Sequence, residues 1–139
     1  MDSNYSYIAR EQQCQSPTHK SAFNNLVSFD KPGTSVEDII SRLQRGPIAV
    51  NHYVPDDFRY YSSGVYDSEE CSEASVVNHS SLLVGYSFEL PTPYFLFKNS
   101  WGDKWGEGGY YRMPIGELCK NGGGVCKIAS NGLNVIPVV

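Results

Sequence analysis

Two stretches, Asn78-His79 and Lys98-Asn99-Ser100-Trp101-Gly102, decide the fold of this chain, and Asp103-Lys104-Trp105-Gly106-Glu107-Gly108-Gly109-Tyr110 follows the second directly. Together they place a histidine and an asparagine in apolar surroundings, with two indoles beside them. His79 stands shortly before the apolar run Leu82-Leu83-Val84, which predicts a strand. An imidazole at the start of a strand can be half buried and still keep one nitrogen accessible.

The segments around these motifs predict one helix and several short strands. Thr34-Ser35-Val36-Glu37 supplies an N-cap signal, apolar residues follow at helical spacing, and Gly46-Pro47 ends the helix, which we place at about 36–45. The composition of residues 68–75 predicts an acidic, serine-rich loop. One helix with many short strands is typical of an antiparallel sheet or an open barrel. We expect strands at 48–51, 81–86, 94–98 and 109–113.

The composition excludes several kinds of partner. The formal charge is −4, the pI is near 5.3, and the 11 basic residues are scattered, so neither nucleic acid nor an anionic membrane is an expected partner. No apolar run is long enough to span a bilayer, and the first residues do not have the layout of a secretory signal. Four cysteines without CxxC or zinc spacing favour disulfides over a metal site and indicate an oxidising compartment.

The chemistry that suits His79 is general acid–base catalysis. A catalytic imidazole needs a fixed tautomer, and therefore a hydrogen-bond acceptor on its far nitrogen. The side-chain oxygen of Asn99 is suited to that task, and an indole such as Trp101 packed over the bond would exclude competing water. Composition alone favours a blander interpretation, in which His79 is a satisfied core histidine and Asn99 a turn residue. The whole run of motifs favours the catalytic one.

Those motifs resemble, in order, the C-terminal half of papain-family, cathepsin-like cysteine peptidases. In that family an Asp- or Asn-His pair heads a Leu-Val-Gly-Tyr strand, and Lys-Asn-Ser-Trp-Gly and Trp-Gly-x-x-Gly-Tyr follow. The matching stretches here are Asn78-His79, Leu83-Val84-Gly85-Tyr86, Lys98 to Gly102 and Trp105 to Tyr110. Weaker matches extend the resemblance over nearly the whole chain: Tyr5-Ser6-Tyr7 with Cys14, Gly46 to Val50, Tyr60 to Tyr66, and Cys126 to Ser130.

The resemblance implies an α+β fold. Residues 34–139 would form the papain-like right-hand domain, an antiparallel β-barrel-like sheet with one main helix. Residues 1–33 would form an extended crossover segment that continues from a left-hand domain. Cys71 would pair with Cys126. Cys14 matches a family cysteine whose partner lies in the left-hand domain, and Cys119 is either free or paired with Cys14.

The resemblance also implies roles for individual residues. His79 would be the catalytic base and acid. Asn99 would orient its ring, Trp101 would shield the bond between them from water, and Trp105 and Asn78 would support the site. The family's second specificity pocket would be lined by Asn51, Val77 and Asn131, and its two amides would make it more polar than usual.

The nucleophile that the family requires is not among these residues. Its Cys-Gly-Ser-Cys-Trp motif and the upstream glutamine of the oxyanion hole are both missing, and Cys14 lacks the glycines and aromatics of such a nucleophile. We therefore expect the chain to be inactive alone and to need a left-hand domain that carries the thiol. Other expected partners are a peptide or protein substrate and protein inhibitors, with no cofactor and no metal. The family's usual locations are the lysosome, the vacuole or the extracellular space. The alternative is a non-catalytic, protease-like module that binds peptides or proteins.

Overall fold

A computed structural model describes residues 8–13, 28–30, 35–73, 76–115 and 134–136. Within these residues the elements follow the order β1 (Ser28–Asp30), α1 (Val36–Leu43), β2 (Ile48–His52), a 3-10 helix (Asp56–Tyr60), α2 (Glu69–Glu73), β3 (His79–Ser87), β4 (Tyr94–Lys98), β5 (Tyr110–Pro114) and β6 (Asn134–Ile136). None of the described helices is long and apolar enough to cross a membrane.

The centre of the fold is a four-stranded antiparallel sheet with the order β2-β3-β4-β5. A second, two-stranded antiparallel sheet joins β1 to β6, and β6 also contacts β2. The expectation of an α+β protein with an antiparallel sheet is confirmed. The domain boundary at 33/34 stays a prediction.

One face of the main sheet forms the core, because buried residues alternate with more exposed ones along β2 and β4 and at the start of β5, and β3 adds Leu83. Ile48 and Val50 of β2 point the same way as Leu83 of β3, and α1 adds Ile39. The strongly amphipathic helix α1 therefore covers this face. The buried residues of the core are Ile39, Ile48, Val50, Phe58, Tyr61, Cys71, Leu83, Phe95, Phe97, Tyr111 and Met113.

Two of the predicted segments differ from the structure. The helix begins at Val36 as expected but ends at Leu43, two residues early, because Gln44 and Arg45 already form a turn before Gly46 at φ 149°. The segment predicted as an acidic loop contains the short helix Glu69–Glu73. Its two leading glutamates suit a helix N-terminus, and its centre, Cys71, is buried and disulfide-bonded.

The start of α1 gives a first prediction on stability. Ser35 Oγ accepts a hydrogen bond from the Asp38 amide at 3.1 Å and so satisfies one of the free N–H groups of the first turn. Ser35→Ala is expected to lower the free energy of unfolding by about 1 kcal/mol, measured by chemical denaturation. The matched control is Ser41→Ala on the exposed side of the same helix, which should be neutral or slightly stabilising. Equal effects at both serines would contradict the capping role.

Candidate active site

The two inner strands of the main sheet position the predicted dyad. His79 is the first residue of β3, and Asn99 follows Lys98, the last residue of β4. These strands are antiparallel with Leu82 opposite Lys98, so the start of one strand lies beside the end of the other. As a result, His79 Nε2 is 3.0 Å from Asn99 Oδ1, across 20 residues of sequence.

The surroundings of Asn99 fix the tautomer of His79. Asn99 is 8% exposed, and its Oδ1 also accepts the Ser100 amide at 2.8 Å, which identifies that atom as the oxygen. Because an amide oxygen can only accept, His79 must donate from Nε2. In the neutral ring, Nδ1 is then the basic nitrogen, and no described residue forms a hydrogen bond with it. The imidazole is oriented on one side and free to accept a proton on the other.

Three aromatic rings enclose the His79 imidazole. The ring centroids of Trp101, His52 and Phe58 lie 5.1, 5.3 and 6.1 Å from its own. Burial by these rings lowers the pKa of His79, and the hydrogen bond to Asn99 opposes that effect by raising it. Trp101 covers the outer side and is itself 43% exposed.

The loop that carries Trp101 is held by a second indole and by an ion pair. Trp105 lies 5.0 Å from Trp101 and donates its Nε1–H to the Arg59 carbonyl at 2.9 Å. Glu107 pairs with Arg112 and accepts the Gly64 amide, and these partners lower its pKa. At Gly106 the backbone is left-handed (φ 57°), and a Cβ would stand 2.7 Å from the Tyr110 carbonyl. Only glycine fits this position without moving the backbone.

Asn78 supports the site through the backbone. Its Oδ1 accepts from the Val54 amide and its Nδ2 donates to the Val54 carbonyl, both at 2.8 Å. Its own amide donates to the His52 carbonyl. These bonds hold the segment after β2 against the start of β3. The sequence Asn78-His79-Ser80 has the form of a glycosylation signal, which overlaps the proposed site.

The specificity pocket expected from Asn51, Val77 and Asn131 stays a prediction. Asn51 is paired across the strands with Ser80, whose hydroxyl donates to Asn51 Oδ1 at 2.6 Å. Val77 is 39% exposed just before the dyad. Asn131 lies outside the described residues, as do Cys126, Cys14 and Cys119, so the pairing of Cys71 with Cys126 stays a prediction.

No role for His52 was predicted from the sequence. This side chain is fully buried on β2, directly opposite His79 in the strand register. Burial lowers its pKa from 6.5 to about 4. The burial of His52 could have been predicted from the alternation of β2, because Ile48, Val50 and His52 lie on the same face of the strand and the first two are apolar.

Comparison with known proteins identifies the family. A family model described as papain family cysteine protease matches residues 1–136. The chain therefore belongs to the papain family of cysteine proteases.

The relatives are cysteine proteases that are longer than this chain. A cathepsin L-like proteinase from Fasciola hepatica is 38% identical over 99% of this chain and 40% of its own length. Cysteine proteinase 3 from Solanum lycopersicum is 49% identical over 60% of this chain and 23% of its own length. The chain thus spans two-fifths or less of these curated relatives.

Solved structures show the same fold. The digestive procathepsin L2 proteinase from the larval midgut of Tenebrio molitor matches with a TM-score of 0.78 at 30% identity, over 97% of this chain and 41% of that one. The bromelain protease from Ananas comosus, in complex with the E64 inhibitor, matches with a TM-score of 0.65 at 32% identity, over 74% of this chain and 46% of that one. These matches confirm the papain-like fold.

Proposed function

We propose that this chain is the C-terminal, right-hand half of a papain-like cysteine peptidase and supplies His79 and Asn99 to the hydrolysis of peptide bonds. The observation that carries the proposal is the bond from His79 Nε2 to Asn99 Oδ1 at 3.0 Å, which leaves Nδ1 as the free base. A thiol on a left-hand domain would be the nucleophile.

The proposed mechanism moves one proton through His79 Nδ1. The imidazole takes the proton of the thiol, which forms a thiolate and an imidazolium, and the imidazolium lowers the pKa of the thiol below its usual value of about 8.5. The thiolate attacks the substrate carbonyl, and His79 returns the proton to the departing amine. In the second half of the cycle, His79 takes a proton from water, and the resulting hydroxide releases the acyl group.

Asn99 and Trp101 would assist without exchanging protons. Asn99 is uncharged, so its contribution is to hold the ring and its tautomer while the ring gains and loses charge. Trp101 would keep water from the bond between His79 and Asn99, since a hydrogen bond in a dry environment is stronger.

A cavity beside Asn99 supports the docking of a second domain. It has a volume of about 320 Å³ and is lined by Ala49, Ser80 to Leu82, and Lys98 to Ser100. Leu82 is 37% exposed there, and the buried Nδ2 of Asn99 has no hydrogen-bond partner among the described residues. A partner domain docked here would cover Leu82, and the cation of Lys98 would favour a carboxylate on that domain.

The family's usual locations, the lysosome, the vacuole or the extracellular space, are part of this proposal. The disulfide bond of Cys71 supports a compartment in which disulfides persist.

The proposed peptidase function can be tested with two proteins. One is the chain of 139 residues alone, and the other is the same chain assembled with a left-hand domain of the family that carries the thiol. The chain alone is expected to show no turnover of a fluorogenic peptide, because no described group can act as nucleophile next to His79. The two-domain assembly should cleave the peptide, and alkylation of its thiol should abolish the activity. The control is the same assembly with the nucleophilic cysteine changed to serine.

Two outcomes would contradict the proposal. One is turnover by the isolated chain that a thiol reagent abolishes, since this would place the nucleophile within residues 1–139. The other is a monodisperse assembly that binds peptides without cleaving them, which would favour the non-catalytic binding module instead.

A further inference from the structure

A second histidine stands directly behind His79. His52 is fully buried on β2, opposite His79 on β3, and the two imidazoles are perpendicular with centroids 5.3 Å apart. No hydrogen bond joins them. The His52 ring therefore packs against the inner side of the His79 ring, while Trp101 covers the outer side.

Hydrogen bonds with β3, with β5 and with the residue after β2 fix the orientation of the His52 ring. His52 Nδ1 is 3.0 Å from the Tyr53 carbonyl, which can only accept, so Nδ1 carries the hydrogen. Nε2 is then the acceptor, and the Tyr111 hydroxyl on β5 reaches it at 2.7 Å. Ser81 Oγ on β3 is 2.7 Å from the Tyr111 oxygen, which can donate to it, and 3.3 Å from Nε2, to which the serine hydroxyl can then donate. We call His52, Ser81 and Tyr111 the His52 network.

The charges around the network favour a neutral His52. The titratable groups that contact it are His79 from β3 and Tyr111 from β5, and no carboxylate in the described part of the chain forms an ion pair with either histidine. Burial, together with the nearby His79, lowers the pKa of His52 to about 4. His52 thus remains uncharged at pH values well above 4. A second imidazolium at this position would repel the imidazolium of His79, whereas a neutral ring does not.

We propose that His52 is a positioning residue for His79: held by Ser81 and Tyr111, its neutral ring sets the depth and tilt at which the His79 imidazole meets Asn99. The role rests on the proposed function of His79 and adds to it a residue that exchanges no proton and touches no substrate. It acts through ring contact alone.

Nitrogen-detected NMR of the imidazoles tests the proposal without any need for turnover. In the full chain, alone or assembled with a thiol-carrying domain, His79 should show the Nε2–H tautomer. His52→Leu removes the ring but keeps an apolar side chain, and we expect the other tautomer of His79 to appear and its pKa to move by about half a unit or more. His52→Phe restores a ring and should restore most of the wild-type signature. Tyr111→Phe removes one of the hydroxyl groups that hold the His52 ring. It should give a smaller change than His52→Leu.

Ile39→Ala is the matched control, because it weakens the same core from α1 without a ring contact to His79. It should leave the tautomer and pKa of His79 unchanged. In an active assembly, His52→Leu should lower kcat about tenfold with little change in KM. The inference is overturned if His52→Leu and Ile39→Ala, at equal stability, leave the His79 signature equally intact.

One further measurement covers the case in which His52→Leu does not fold. His79→Ala removes the neighbouring positive charge, so the pKa of His52 should rise in that variant. An unchanged pKa of His52 would show that the two rings are not coupled and would also overturn the proposal. If the NMR predictions are confirmed but His79→Ala retains activity, then the proposed catalytic role of His79 is wrong. The contact between the two imidazole rings is still supported in that case.

Discussion

Replacing His79 by alanine is expected to lower kcat/KM for peptide hydrolysis by about 10³-fold or more in an assembly that supplies the thiol. The imidazole is the proposed acceptor of the thiol proton and the donor to the leaving amine, so its loss removes both proton transfers. A thiol without this partner is only a few per cent ionised at neutral pH. The measurement is the initial rate with a fluorogenic peptide at fixed enzyme concentration.

Two comparison variants make this result specific. Asn99→Ala should reduce the rate less, by about tenfold or more, because it frees the tautomer but leaves the base in place. Phe88→Ala removes an exposed aromatic side chain beyond the other end of β3 and should leave the rate unchanged. Retention of more than about a tenth of the activity by His79→Ala, in a folded assembly, would refute the assignment of the base.

Acid is expected to destabilise this fold through His52. The unfolded chain binds a proton at this residue below its ordinary pKa of 6.5, whereas the folded chain does so only below about 4. Between these values the unfolded state holds more protons, so the free energy of unfolding falls as the pH falls. The full contribution is present above pH 6.5 and is lost by about pH 4. Because one pH unit corresponds to about 1.4 kcal/mol, the loss amounts to about 3 kcal/mol.

Urea unfolding at several pH values measures this loss, with His52→Phe as the comparison. The phenylalanine ring still packs against His79 but cannot titrate. The variant should therefore lose about 3 kcal/mol less stability than the wild type over the same pH range. His79, whose pKa is also lowered, adds to the acid sensitivity of both proteins, and Glu107 contributes only at lower pH. Parallel stability curves for the two proteins would contradict the linkage.

Local sequence rules predicted the parts of this fold that depend on neighbours in the chain. The N-cap at Ser35 and the spacing of apolar residues identified α1, and short apolar or aromatic runs between turn residues identified β2, β3, β4 and β5. The hydrogen bond between His79 and Asn99 was anticipated from the run of family motifs that contains both residues, since composition alone favoured a core histidine and a turn asparagine. The length of α1 was missed by two residues, since helix ends depend on the turn that follows.

The features that were missed depend on residues brought together across strands. His52 looks polar in sequence, and its burial is evident only when Phe97 and Tyr111 pack against it. The helix Glu69–Glu73 is too short to show a period, and the burial of Cys71 helps to define it. The pairing of Asn51 with Ser80 requires the strand register, which a single strand does not reveal.

The strand order of the main sheet has a consequence for the local opening of the protein. His79 and Asn99 are carried by β3 and β4, the two strands that have hydrogen-bonded neighbours on both sides. Opening of a sheet begins at its edges, so β2 and β5 can detach in brief local fluctuations while the inner pair stays joined. The paired residues of the inner strands, from Leu82 and Lys98 onward, are thereby expected among the slowest parts of the sheet to exchange their amide hydrogens, whereas His79 pairs with His52 of the edge strand and shares its openings.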